Sequence, residues 1–238
     1  MSLLTIIQAV AKRTAVQSPT TVFGNTDTQI IQLQALLEEE GADLARRGAW
    51  QGITFEATHT TVAAENQGAI ATIATNGFNY IKNQTIWDRT DRLPVLGPMD
   101  SQDWQALKAV QVTGPRYQFR IRGGLLLVNP SPTAGHSWSF EYVSQNWILG
   151  ADGVTYKQLF TLDTDTMLLP EPLLTLGLRW RWMREKGLDY SELFRTYEMQ
   201  VKDALGRDGG KPILHCDEYA YQGPKPGIWV PSGSWSGV

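Results

Sequence analysis

Two aspartates in the stretch DTDT, Asp163 and Asp165, are the first residues in the chain with a spacing that could do chemistry. On an extended segment, positions two apart share a face, so the carboxylates could ligate calcium or divide acid and base roles. The same residues stand just ahead of an apolar run, where Asp and Thr supply acceptors for the free amides of a helix start; that structural role explains them more simply. His215 and Cys216 resemble a base beside a nucleophile, yet neighbours on extended chain point to opposite faces, and the pair is taken as incidental. His59 and His136 complete the histidines without any metal-ligand spacing, and no GxSxG, P-loop or GxGxxG occurs.

Aromatic residues are the other candidates. Trp138, Trp147 or the tail tryptophans Trp229 and Trp235 could serve as sugar platforms, with Asp163 and Asp165 as acids, which defines one function class: a carbohydrate-binding or glycan-cleaving module. Placement in sheet core is the simpler expectation for both tryptophans. RWRWMREKG interleaves Arg and Trp as a nucleic-acid platform would, but at helical spacing Trp180 and Trp182 cannot share a face. One is expected in the core, with Arg179, Arg181 and Arg184 on a solvated or subunit-facing surface. The C-terminal stretch YAYQGPKPGIWVPSGSWSGV is too aromatic for a linker and too broken by Gly and Pro to fold alone. Tyr219, Tyr221, Ile228, Trp229 and Trp235, spaced by breakers that include Pro224 and Pro226, therefore have to find pockets elsewhere, on a partner or back on the chain's own β region.

The elements that must position these groups follow from composition and period. With 238 residues, 42% hydrophobic and 19% charged, the chain can bury a sizeable core without disulfides. A net charge of −3 supplies no basic field for coating nucleic acid. A single cysteine, an N-terminus whose apolar run precedes its positive charges, and the lack of any 18-residue apolar run argue against secretion and a membrane span. No cofactor motif is present.

Leu3, Ile6, Ile7 and Val10 mark a short helix over 3–13. A second helix runs from a capping box at Thr26 and Gln29 to Gly48, with Ile30, Leu33, Leu37 and Leu44 inward and Glu38, Glu39 and Glu40 mostly outward. Residues 49–164 read as antiparallel β structure with a short helix at 101–110; NQTIWDRTDRLPVLGP forms two strands around a polar turn, and Gly123-Gly124 joins a hairpin. A helical hairpin then spans 165–208, opened by Pro170 and Pro172, turned at Gly187, with Glu198 and Lys202 paired at its surface. The expected class is α+β: a bundle made from an N-terminal helix pair (1–48) and a C-terminal pair (165–208), an inserted β-rich domain (49–164), and an extended C-terminal arm (209–238).

The order of LLTIIQAVAKR, QALLEEEGADLARRGAW, QFRIRGGLLLVNP, EYVSQNWIL and DTDTMLLPEPLLTLGLRWRWMREKGLDYSELFRTYEMQVKDAL resembles the head-to-tail adaptor proteins of tailed bacteriophages, including the connector and tail-tubular-A-like group, over residues 1–208. That resemblance implies a non-enzymatic virion protein at the neck between capsid and tail, assembled from the host cytoplasm. It also implies a homo-oligomeric ring, commonly of twelve subunits, under the portal protein, with a downstream tail or nozzle protein docked below and DNA passing through without specific binding. The family uses C-terminal extensions to engage the portal, which makes Tyr219, Tyr221, Pro224, Pro226, Ile228, Trp229 and Trp235 the expected partner-binding residues.

Overall fold

Local chemistry sets the helix ends. In a computed structural model, which describes residues 1–110 and 116–209, Ser2 caps α1 (Leu3–Ala11) by accepting the Thr5 amide, and Asp27 caps α2 (Thr28–Arg46) by accepting the Gln29 amide. The cap of α2 is thus Asp27 rather than Thr26. The chain divides into two units, Met1–Asp208 and Gly209–Val238, and the elements that follow belong to the first.

After a single 3-10 turn, β1 (Thr54–Thr60) begins the β region, followed by β2 (Asn66–Ala69), the one-turn α3 (Ile70–Ile73), β3 (Phe78–Ile81), β4 (Trp87–Asp88) and β5 (Leu93–Pro94). Next come α4 (Ser101–Ala109), β6 (Gln118–Arg122), β7 (Leu125–Asn129), β8 (Ser137–Ser144), β9 (Ile148–Leu149), β10 (Tyr156–Lys157) and β11 (Thr166–Met167). The expected β6–β7 hairpin is present, and both turn glycines have positive φ, 58° at Gly123 and 74° at Gly124, where a Cβ would be strained.

These strands form three antiparallel sheets. β8 is the spine of the largest: β1 pairs along its whole length, from Thr54 opposite Val143 to Thr60 opposite Ser137, while β3 and β4 share its other edge and β5 pairs β4. β2, β7 and β6 make the second sheet, and β10, β9 and β11 the third. Phe119, Leu126, Val128, Trp138, Phe140 and Tyr142 from the first two sheets bury one core.

The second core corrects the expected architecture. α5 (Glu171–Glu185) and α6 (Ser191–Arg207) form a hairpin through Gly187 (φ 69°), but the helices are not two pairs joined into a bundle with a β domain inserted between them. α5 is the hub: it packs on α2, on α6 and on α1, whereas α1 and α2 barely meet each other. The core around it continues into the β region through Val143, Trp147, Ile148 and Phe160. The physical reason is that α5 is buried nearly all round. Leu173, Leu174, Leu178, Trp180 and Trp182 point in different directions, so one facing helix could not cover them. Trp180 and Trp182 are both buried for the same reason, where one was expected inside.

Close packing on α2 depends on two glycines, one at its contact with the β region and one at its contact with α5. A Cβ on Gly41 would fall on the Trp147 indole, and one on Gly177 would fall on the Glu40 carboxyl group. Among the described residues no helix is long and apolar enough to cross a membrane.

Candidate functional site

The carboxylates of DTDT are structural, although not as helix caps. Asp163 accepts the amides of Val22 (3.1 Å) and Phe23 (2.7 Å), fastening the loop between α1 and α2 to the segment before β11. Asp165 has no exposed side chain; it accepts the amides of Ala151 (3.2 Å), Thr161 (2.8 Å) and Leu162 (3.0 Å) and pairs with Lys157 Nζ at 2.9 Å. Burial pushes the Asp165 carboxyl up, but the Thr161 amide and Lys157 outweigh it and hold it below the ordinary carboxylate range. An acid catalyst needs the opposite shift. The two groups also face different partners, so the structure does not assemble them into an acid pair.

Trp138 and Trp147 are each about 1% exposed. Neither can stack on a sugar; Trp147 packs edge-on against Phe160, and Trp138 packs at a tilt of 45° against Tyr117. The glycan-module alternative thereby loses Trp138 and Trp147 as platforms and Asp163 and Asp165 as acids; Trp229 and Trp235 lie outside the described residues.

One cluster had no signal in the sequence. The β4–β5 turn brings Asp88 and Asp91 to His136 at the start of β8, and the three offer ligand atoms within 4.8 Å of one another, which suits a small cation in principle. The geometry is already satisfied without one. His136 Nδ1 lies 2.9 Å from Asp88 Oδ2 and 3.5 Å from Asp91 Oδ2, and the other Asp88 oxygen accepts the Thr90 and Asp91 amides. The hydrogen bond to Asp88 raises the His136 pKa; burial works against ionising Asp88, and the bonds from His136 and the Asp91 amide overcome it and lower that carboxyl. The cluster pins a tight turn to the central strand. His59 lies across β8 from Asp88, each of them opposite Trp138, and contacts Gln67 rather than the cluster.

The strongest polar construction lies between the helices. Arg181, expected at a surface, is 4% exposed: its Nε donates to Glu40 Oε2 at 2.6 Å, Nη2 reaches Asp43 at 3.2 Å, and Nη1 pairs with Glu39. Glu40, expected to face mostly outward with its neighbours, is wholly buried and also accepts the Tyr197 hydroxyl. Burial pushes the Glu40 carboxyl up against the pull of Tyr197 and Arg181, and burial together with Glu40 raises the Tyr197 phenol well above its usual value. Glu198 does not follow the expected pairing with Lys202; it takes Arg47 of α2 at 2.6 Å. This seam locks α2, α5 and α6 in register.

What remains available to partners is surface. Phe23, Val154, Leu159 and Leu162 stand in water around the loop braced by Asp163 and Asp165. Leu188, Tyr190 and Phe194 stand in water at the α5–α6 turn, where Tyr190 and Phe194 flank Trp180 at 6.2 and 5.0 Å. An open groove of about 450 Å³ runs between Arg47, Met199, Val201 and Leu205. The expected partner-binding residues Tyr219, Tyr221, Pro224, Pro226, Ile228, Trp229 and Trp235 lie outside the described residues, as do His215 and Cys216.

A search of curated proteins found no match. The family model described as SU10 adaptor protein matches residues 1–213, a span that takes in the whole described body. That match covers well over half of the chain, so the chain belongs to the SU10 adaptor protein family of phage structural adaptors, and membership implies association with other virion components.

Proposed function

We propose that the chain is a non-enzymatic head-to-tail adaptor that assembles as a ring, of twelve copies in this proposal, beneath the portal in the virion neck. The ring extends the DNA channel and gives the tail or nozzle protein a docking surface. One observation carries the proposal: Asp163 and Asp165 are bonded, and Trp138 and Trp147 buried, within the framework, while apolar side chains such as Leu159 and Leu188 remain in water. The family match is consistent with it. A net charge of −3 suits a channel through which DNA slides, because a basic lining would hold phosphate.

Residues 209–238 act in this proposal as an arm that leaves its own subunit, with Tyr219, Tyr221, Ile228, Trp229 and Trp235 anchored on the portal or a neighbouring copy. Each well-seated tryptophan contributes on the order of 2–4 kcal/mol. The test is co-sedimentation with the portal of the full chain and of a chain lacking 209–238, with native mass measurement of the full-chain pellet. Loss of portal binding is expected; undiminished binding by the truncated chain would remove the arm, and a complex with one or two copies per portal would remove the ring.

A further inference from the structure

A head-to-tail ring needs two different, mutually complementary surfaces on every copy. The described body carries two apolar patches that no residue of that body covers, and they sit at opposite ends of α5. The first, Phe23, Leu159 and Leu162, lies by the helix start: Asp163 ties Phe23 to this loop, Leu4 donates its amide to the Asp163 carbonyl, and the Met1 ammonium pairs with Glu171 at 3.4 Å. The second, Leu188, Tyr190 and Phe194, follows directly on the helix end, where the Leu188 amide donates to the Met183 carbonyl. The 15 residues of α5 set the patches apart by about 22 Å.

The first patch is also rigidly supported. Leu159 and Leu162 are 60% and 50% exposed on a stretch with no regular secondary structure, yet beneath them the buried Asp165 carboxylate takes the Thr161 and Leu162 amides and the Lys157 ammonium. A fully buried charge that fixes the backbone at Leu162, three residues after Leu159, is a costly arrangement for a surface with no partner, and it removes part of the ordering cost of binding in advance. The second patch is also preformed, because Tyr190, tilted, and Phe194, edge-on, pack around the buried Trp180.

We infer that the Phe23, Leu159 and Leu162 patch of one copy seats against the Leu188, Tyr190 and Phe194 patch of the next, forming the repeating contact of the ring. The inference rests on the proposed ring. Area supports it: six side chains that each lose on the order of 70–100 Å² remove about 500 Å² of apolar surface, roughly half the non-polar share of a standard interface of about 1,600 Å². The polar rims and the proposed arm would supply the remainder.

The experiment uses the full chain in sedimentation velocity across a wide concentration range, with and without portal, as wild type, Leu162→Asp, Phe194→Asp, and an equimolar mixture of the two variants. Wild type is expected to associate beyond a dimer, and each variant alone to do so at least tenfold more weakly. The mixture is expected to form a one-to-one dimer and nothing larger, since one intact patch of each kind remains between the two partners. A mixture no better than either variant alone overturns the pairing of these patches, and so does association undiminished in both variants, while both results leave the ring standing. A wild type that is monomeric at every concentration, with and without portal, overturns the ring and the inference together. Both substituted positions are exposed, so native circular dichroism is expected; if either variant loses it, Leu159→Ser and Tyr190→Ser replace the pair.

Discussion

Replacing Arg181 with methionine isolates the energetics of the helical seam. Methionine preserves much of the side-chain length and removes the charge, leaving Glu40 with no exposed surface and with the Tyr197 hydroxyl as its remaining side-chain partner. Glu39 and Asp43 are about half-exposed and resolvate, so their bonds to Arg181 are worth little each. The Glu40 pair is different, because removing one partner of a buried pair costs about 3–5 kcal/mol. For a body of this size that lowers the melting temperature by about 6–20 °C. The pH dependence identifies the cause. A buried carboxyl without its cation has a folded-state pKa raised further above its unfolded value, so its stability contribution is present below that unfolded value and is lost as pH rises through the folded one. Arg181→Met should therefore lose stability relative to wild type from about pH 5 to pH 7, by at most ~1.4 kcal/mol per pH unit. The assay is urea denaturation followed by circular dichroism at both pH values, with Glu40→Met/Arg181→Met alongside. The double variant should regain at least ~2 kcal/mol, because no buried charge is stranded. A loss under about 1 kcal/mol at pH 7, or an equal loss at both pH values, refutes the reasoning.

Asp165→Asn should loosen the loop that displays Leu159 and Leu162: an amide nitrogen facing backbone donors breaks at least one bond, and hydrogen exchange at Thr161 and Leu162 should accelerate at least tenfold with the α5 amides unchanged. Because the Asp165 carboxyl is lowered, its contribution in wild type is present above about pH 3.8 and lost as pH falls through the folded value, and the variant should lack that acid limb. The His136 and Asp88 pair should stabilise the β4–β5 turn only between two limits. Stability is lost as pH falls through the lowered Asp88 value and lost again as pH rises through the raised His136 value, so a His136 titration by NMR should show a pKa above 6.5, and Asp88→Asn should bring it down.

What the sequence made legible was local. The Gly123-Gly124 hairpin is readable because its backbone demands glycine, and the start of α5 because Pro170 and Pro172 fit only a first turn. Burial of Glu40 is not readable: it ends a run of three glutamates that looks like a solvated face, and its partner Arg181 is 141 residues away. His136 likewise meets Asp88 across 48 residues. The expected arrangement of helices fails at the N-terminal pair: α1 and α2 pack on α5 rather than mainly on each other. Trp180 and Trp182 on opposite sides of α5 are the available sign that this helix is enclosed, and dividing them between core and surface misses it. The apolar loop around Leu159 and Leu162 has no period, so only its support by Asp165 makes it visible.

α6 is the last regular element before the chain leaves the described body, and only Tyr197 and Val201 on it are buried. Any tension applied beyond Asp208 therefore meets three polar clamps in order: Asp208 accepting the Gln51 amide at 2.8 Å, Glu198 on Arg47, and Tyr197 on Glu40. Pulled from its C-terminal end, α6 would open like a latch, the Asp208 and Glu198 clamps yielding before the Glu40 seam on the hub helix α5 is reached.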